Sequence, residues 1–156
     1  MVQILFLKNL ALFGVAFLFI YLLGILSLPI SIKTSPLLLI AFGLGFMIDI
    51  FYETIGMHAA SATLLAFVRP LWLKAISPTG GYVDTEEPSL NEMGLVWYIT
   101  YSFPLIFAYS LVFFTVDQWG TSGFLGVLNK SLFSSILTCL LAILVQLLFF
   151  KRRRGI

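Results

Sequence analysis

The strongest constraint on this chain is a set of long apolar runs that contain no charged residue. Residues 10–32, 94–116 and 131–150 include no Asp, Glu, Lys or Arg. A helix needs roughly 20 apolar residues to cross the hydrocarbon core of a bilayer, and each run is long enough. A soluble protein has no place for such segments, because its surface helices need a polar face toward water. The runs therefore predict membrane-spanning helices.

Two further apolar runs carry charged residues. Residues 36–52 include Asp49, and residues 58–76 include Arg69 followed by Pro70. A charge within the bilayer is costly unless it is buried in protein or hydrated, so Asp49 and Arg69 are candidates for a functional or structural role. With these two runs the sequence predicts five spans, and the predicted fold class is an all-α, polytopic transmembrane helical bundle.

The composition supports one membrane domain over residues 1–156. The chain is 60% hydrophobic and only 10% charged, with a mean hydropathy of +1.06. A soluble domain would be about 25% charged. The single cysteine, Cys139, and the single histidine, His58, exclude an intramolecular disulfide and the usual zinc frameworks. We predict no metal and no cofactor.

Two segments have aqueous composition. The loop at 77–93 is acidic and contains prolines and glycines, and the tail at 151–156 begins with four basic residues. Lys and Arg accumulate on the cytoplasmic side of membrane proteins, so we predict a cytoplasmic C-terminus. Counting spans back places the acidic loop, Lys33, Arg69 and Lys74 on the same side. Beside a span, the basic tail indicates topology and contact with anionic lipid rather than nucleic acid.

The most informative polar pattern lies in the second and third predicted spans. Ala41, Gly45, Asp49 and Glu53 recur every four residues, which places them on one helix face. His58 follows just across a turn that contains Gly56. Two interpretations remain open: a carboxylate–imidazole cluster for a proton, metal or ligand, or a polar clamp between the two helices.

Arg69 and the small residues of the later spans have simpler interpretations. Arg69 is expected either to extend toward the cytoplasmic interface or to pair with an acidic residue of the 77–93 loop. Small residues recur at helical spacing in the third and fifth predicted spans and indicate close helix packing. No Walker loop, nucleophile elbow or zinc-protease motif occurs, so the chain is predicted not to be an enzyme.

Three short stretches resemble a known family. They are Gly-Leu-Gly-Phe-Met-Ile-Asp-Ile-Phe at 43–51, Gly-Met-His-Ala-Ala at 56–60 and Ala-Phe-Val-Arg-Pro at 66–70. The resemblance continues through Ser77-Pro78, Gly80-Gly81-Tyr82, Met93-Gly94, Trp97 and Tyr101. Together they resemble the MreD family of rod shape-determining inner-membrane proteins, in its Bacteroidetes-type variant. The likeness covers about residues 8–154.

The resemblance implies a non-enzymatic scaffold of the cell-wall elongation (rod) complex in the inner membrane. Such a protein binds MreC and acts beside MreB, RodA and a penicillin-binding transpeptidase, supporting peptidoglycan synthesis and cell shape. It also implies that a partner or packing surface is shaped by Gly45, Asp49, Gly56, His58 and Arg69. Family members have six spans, one more than the runs predicted here, and this chain has Tyr109 where the variant carries a histidine pair.

An alternative function belongs to another class. MreD-like proteins are similar in fold to the substrate-binding subunits of energy-coupling vitamin transporters. The chain would then be a small-molecule-binding membrane subunit, with Asp49, Glu53 and His58 facing an enclosed polar cavity. A cavity of that kind needs several converging polar groups, and the other predicted spans offer few.

Overall fold

The fold is helical because peptide groups find no water in hydrocarbon, and a helix satisfies them within one segment. The computed structural model describes residues 21–82, 87–121 and 123–149, and no strand occurs among them. This confirms the predicted all-α class for the described part of the chain. The helices are α1 (Tyr21–Leu26), α2 (Thr34–Tyr52), α3 (Met57–Ala75), α4 (Leu90–Met93), α5 (Leu95–Asp117) and α6 (Phe124–Phe149).

Three of the described helices, α2, α5 and α6, are long and apolar enough to cross a membrane. Helix α3 has the same 19-residue length as α2, but its sequence is less apolar. It contains His58, Ser61, Arg69 and Lys74. The structure therefore identifies three candidate spans within these ranges, where the sequence predicts five.

The helix bounds follow the apolar runs closely, with two exceptions. Helices α2, α3 and α5 each begin and end within two residues of the predicted runs. Helix α6 begins at Phe124 rather than at residue 131, and at 26 residues it is about 39 Å long. That exceeds the roughly 30 Å hydrocarbon core, so its first turns, with Lys130, have room outside it.

The second exception is the first predicted span, 10–32. Helix α1 ends at Leu26, and residues 27–33 lead to α2 without helical structure. Residues 10–20 of this predicted span lie outside the described residues. The same holds for residues 83–86 of the acidic loop and for the basic tail at 151–156.

Helix α3 is central among the described helices. It packs against α2 on one side and against α5 on the other, and α5 in turn packs against α6. The short α4 contacts α5 and α6, and α1 contacts α2. Any polar group on α3 is therefore within reach of several helices.

Small residues allow α2 and α3 to approach closely. Ala41 and Gly45 of α2 are both buried, and Ala59 of α3 is 3% exposed. A Cβ added at Gly45 would lie 2.6 Å from the Cα of Ala59 and 2.7 Å from the carbonyl oxygen of His58. The two backbones therefore touch at Gly45, which is the packing mode that small residues permit in membranes.

A tight turn makes α2 and α3 antiparallel. Glu53 ends α2 in the left-handed region, with φ 56°, and its N–H donates to the Asp49 carbonyl. Gly56 precedes α3 with φ 71°, again left-handed, and a glycine accepts this conformation at no steric cost. Glu53 is exposed, so its side chain points away from the helix interface.

The described helices place apolar side chains outside and many polar ones inside. Large exposed hydrophobic residues cover α2, α3, α5 and α6, among them Leu39, Phe42, Phe67, Val96, Phe133 and Leu147. The buried polar residues include Asp49, His58, Arg69, Ser102, Ser110, Ser131, Ser135, Thr138 and Gln146. Soluble proteins show the reverse pattern. This arrangement suits a membrane protein whose solvent is lipid.

The contact at Gly45 generates a prediction with a matched control. We expect Gly45→Ala to destabilise the protein by about 1–3 kcal/mol, because the added methyl group meets backbone atoms that cannot rotate away. Gly43→Ala adds the same methyl group on the same helix, where nothing lies within 4 Å. Thermal unfolding in detergent should show a lower midpoint for Gly45→Ala only; equal midpoints for the two variants would contradict this packing.

Candidate functional site

The Asp49 carboxylate of α2 caps the N-terminus of α3. Its Oδ1 atom accepts the backbone N–H of His58 at 2.9 Å, and its Oδ2 atom accepts the N–H of Ala59, also at 2.9 Å. The Thr54 hydroxyl donates to Oδ1 at 2.5 Å. The first N–H groups of a helix have no partner within the helix, and a carboxylate there also interacts favourably with the helix dipole.

This geometry bears directly on the two interpretations of Asp49. The residue at the N-cap position of α3 is Gly56, which has no side chain to cap the helix. Asp49 supplies the missing acceptor from the neighbouring helix, nine residues earlier in the chain. Both carboxylate oxygens are engaged by donors of the protein itself. Asp49 therefore acts as a clamp between α2 and α3.

His58 connects α3 to α1 and α5 rather than to a second carboxylate. Its Nδ1 atom lies 2.7 Å from the Tyr109 hydroxyl of α5 and 3.3 Å from the Tyr21 hydroxyl of α1. The two tyrosine hydroxyls are hydrogen-bonded to each other. The imidazole also contacts the Phe113 ring, with centroids 4.5 Å apart. The predicted partner Glu53 is exposed and is not brought into this group.

Arg69 forms a second polar clamp, near the other end of α3. Its Nε atom donates to the Tyr101 hydroxyl of α5 at 2.7 Å, and its Nη2 atom donates to the Leu28 carbonyl just after α1. Tyr101 donates in turn to the Leu26 carbonyl at 2.9 Å. The last carbonyls of a helix lack partners within the helix, so Tyr101 completes the end of α1, while Arg69 holds the segment that follows it.

The structure corrects the first expectation for Arg69, its extension toward the interface. The side chain is 1% exposed, so it does not extend to the aqueous interface. Its described hydrogen bonds go to Tyr101 and Leu28, and none goes to the described parts of the acidic loop, 77–82 and 87–93. A buried guanidinium needs acceptors, and here the Tyr101 hydroxyl and the Leu28 carbonyl, two residues after α1, provide them.

Among residues 21–82, 87–121 and 123–149, no three His, Cys, Asp or Glu side chains are grouped to hold a metal ion. The Ser61 hydroxyl donates to the Met57 carbonyl at 2.8 Å, within its own helix. Cys139 is buried, with its sulfur 3.6 Å from the Ser102 hydroxyl.

Of the site residues predicted from sequence, four are buried and one lies in the turn. Gly45, Asp49, His58 and Arg69 all lie at helix interfaces, and Gly56 forms the turn before α3. The sequence did not identify the tyrosines that bond His58 and Arg69, which are Tyr21, Tyr101 and Tyr109. The sequence held a weak signal for Tyr101 and Tyr109, because residues eight apart on a helix lie on a similar face.

Comparison with known proteins adds no relative: no protein-family model, no curated protein and no solved structure matches the chain.

The cap on α3 yields the first site prediction. We expect Asp49→Ala to lower stability by about 1–2 kcal/mol, because two N–H groups at the start of α3 lose their acceptor. Asp49→Asn keeps one acceptor oxygen and should lose less. Glu53→Gln is the control, since Glu53 is exposed at the same turn. Thermal unfolding in detergent measures all three; a Glu53→Gln loss as large as that of Asp49→Ala would refute the cap.

The Arg69 clamp yields a second prediction. We expect Arg69→Met to cost about 3 kcal/mol and Tyr101→Phe about 1–2 kcal/mol, because each leaves buried carbonyl or hydroxyl groups unsatisfied. The double variant should lose less than the sum, since the two side chains bond each other. Lys74→Met, on the same helix but exposed, is the control. Strictly additive losses in unfolding experiments would show that the two residues act independently.

Proposed function

We propose that α3 and the apolar run at 10–32, which contains α1, also cross the membrane, which makes five spans. The pattern of α3 supports this topology. Its ionisable residues His58 and Arg69 are buried, while Leu64, Phe67 and Leu71 are exposed and apolar. A helix whose polar residues face protein and whose apolar residues face outward suits lipid, even when its mean hydropathy is modest.

The orientation is proposed from the basic residues. Lys33 precedes α2 and Lys74 lies in the last turn of α3, so both are at the same end of this antiparallel pair. With five spans, the C-terminal basic tail falls on that side too. The proposed location is the inner membrane, with these residues and the C-terminus in the cytoplasm.

We propose that the chain is a non-enzymatic membrane scaffold of the cell-wall elongation complex that binds MreC, as its resemblance to MreD implies. RodA, the penicillin-binding transpeptidase and MreB belong to the same proposed complex. The observation that carries the scaffold proposal is the use of the buried charged groups. The Asp49 carboxylate caps α3, and the Arg69 guanidinium ties α3 to α5 and to the segment after α1, so both serve to hold helices in place.

A groove on the outer face of α2 and α3 is the proposed seat for the MreC span. It encloses about 510 Å³ and is lined by Leu38, Phe42, Ala60, Thr63, Leu64 and Phe67. The Thr63 hydroxyl is bonded to the Ala59 carbonyl of its own helix, so the groove presents an apolar surface. Ala60 is small and exposed, which permits close approach of another helix.

The buried site residues would shape this groove from beneath. Gly45 sets the distance between α2 and α3, and Asp49 fixes the start of α3. The small residues Ala59, Ala62 and Ala66 are buried within the protein and so are not themselves the contact surface. The proposed mechanism is positional: the two helices are held at the spacing that a partner span recognises.

The transporter-subunit alternative requires Asp49, Glu53 and His58 to face one polar cavity. Glu53 is exposed on the far side of the turn, and both oxygens of Asp49 are engaged in capping. We also propose that the fold is similar to that of the substrate-binding subunits of vitamin transporters. Fold alone does not determine function.

The experiment is affinity purification of the tagged protein from its own membranes in mild detergent, followed by mass spectrometry. We expect MreC in the eluate, and about tenfold less of it with Ala60→Trp, because the indole fills the groove and a loss of 1.4 kcal/mol gives that factor. Leu140→Trp is the matched control, since Leu140 is 60% exposed on α6.

Two results would contradict the proposal. Recovery of an ATPase pair with a coupling subunit, in place of MreC, would favour the transporter alternative. Equal loss of MreC in the Ala60 and Leu140 variants would show that the α2–α3 groove is not the seat.

A further inference from the structure

A second cavity lies at the end of the bundle where α2 begins and α3 ends. It encloses about 430 Å³, within the roughly 300–1,000 Å³ range of small-molecule sites. Ile30, Ile32 and Leu73 form apolar wall, whereas Thr34, Lys74 and Ser77 contribute polar side chains. The cavity is therefore amphipathic, unlike the apolar groove on α2 and α3.

Among the described residues that line this cavity, the only charge is positive. Lys74 lines it, and none of the described residues that line it is acidic. The Lys74 side chain is exposed, so its ammonium group remains available to a ligand. A lysine beside hydroxyl groups is suited to a phosphate or another anion, because the ammonium attracts the charge and the hydroxyls donate hydrogen bonds.

The walls of the cavity are held by contacts already in place. Tyr82, a further lining residue, donates its hydroxyl to the Leu73 carbonyl at 2.9 Å, and its ring meets the Trp97 ring edge-on at 6.1 Å. On the other side, Arg69 binds the Leu28 carbonyl, two residues before Ile30. A ligand therefore meets a preformed site, which limits the ordering cost of binding.

The position of the cavity indicates which anion it takes. It opens at the first residue of α2, a candidate membrane span, and at the last turn of α3. Nearby, the Trp72 indole N–H donates to the Thr100 carbonyl at 3.0 Å, and tryptophan prefers the headgroup level of a bilayer. A free phosphate would gain nothing from the apolar wall, whereas a phospholipid matches both halves of the cavity.

We propose that this cavity binds the headgroup of an anionic phospholipid. The phosphate lies against the Lys74 ammonium group and the Thr34 hydroxyl, and the Ser77 hydroxyl exchanges its 3.4 Å hydrogen bond to the Pro78 carbonyl for one to the phosphate. The first carbons of an acyl chain lie against Ile30, Ile32 and Leu73. Basic pockets between membrane helices on the cytoplasmic side bind lipid headgroups in this way. This proposal does not depend on MreC binding.

The test uses the purified full-length chain in a non-ionic detergent. It is titrated with short-chain phosphatidylglycerol and, separately, with phosphatidylcholine of the same chain length, and binding is followed by thermal stabilisation. We expect phosphatidylglycerol to bind about fivefold more tightly, and Lys74→Gln to remove this difference. One lysine near an anionic lipid contributes about 1 kcal/mol, which corresponds to that factor.

Lys33→Gln is the matched control, because it removes an exposed lysine from the same end of the bundle but not from the cavity wall. It should leave the preference for phosphatidylglycerol nearly unchanged. Both lysines are exposed, so neither change should lower the melting temperature without lipid. Equal weakening by the two variants would show diffuse surface attraction and overturn the proposal.

Glycerol phosphate, added at the same concentrations, distinguishes lipid from a soluble phosphate ester. We expect it to stabilise the protein far less than phosphatidylglycerol, because it lacks the acyl carbons that contact the apolar wall. Ile32→Asn should accordingly weaken phospholipid binding several-fold. Stabilisation by glycerol phosphate as strong as by phosphatidylglycerol would overturn the assignment to lipid.

Discussion

The first N–H groups of α3 have no acceptor within their own helix, so the rest of the arrangement depends on the Asp49 carboxylate. It reaches those groups, at 2.9 Å each, only because α2 and α3 are in backbone contact at Gly45, one turn earlier. The left-handed conformations of Glu53 and Gly56 reverse the chain tightly enough to permit this contact. The Asp49 cap, the backbone contact at Gly45 and the turn between α2 and α3 therefore depend on one another.

Arg69 and Tyr101 form the second clamp, about 16 Å further along α3, since Arg69 follows His58 by eleven residues at 1.5 Å each. Tyr101 of α5 donates to the Leu26 carbonyl at the end of α1, and Arg69 donates to the Leu28 carbonyl just after it. Between them the two clamps connect α3 to α2, to α5 and to the segment that follows α1. The buried charged side chains Asp49 and Arg69 bond other parts of the protein, and the exposed surface of α2 and α3 is largely apolar. Binding of the proposed partner span to that surface would rely on shape and close packing.

Much of the fold was predictable, because long apolar runs, even those that carry one or two charged residues, indicate helices. The bounds of α2, α3 and α5 agree with the predicted runs within two residues. The candidate site was predictable only in part. Asp49 and Glu53 share a helix face in sequence, but Glu53 adopts a left-handed conformation and points outward. Tyr109, the partner of His58, and Tyr101, the partner of Arg69, both lie on α5, 51 and 32 residues further along the chain and beyond the range of any local pattern.

The sequence by itself determined that the protein is suited to a lipid surrounding, that its fold is helical, and which charged residues lie within apolar segments. These follow from composition and local spacing, since transfer of apolar and charged groups depends on the side chains alone. Only the tertiary structure decided what the charges do. Whether Asp49 binds a ligand or caps a helix, and whether Arg69 meets water or a buried carbonyl, depends on which donors and acceptors other helices bring within about 3 Å.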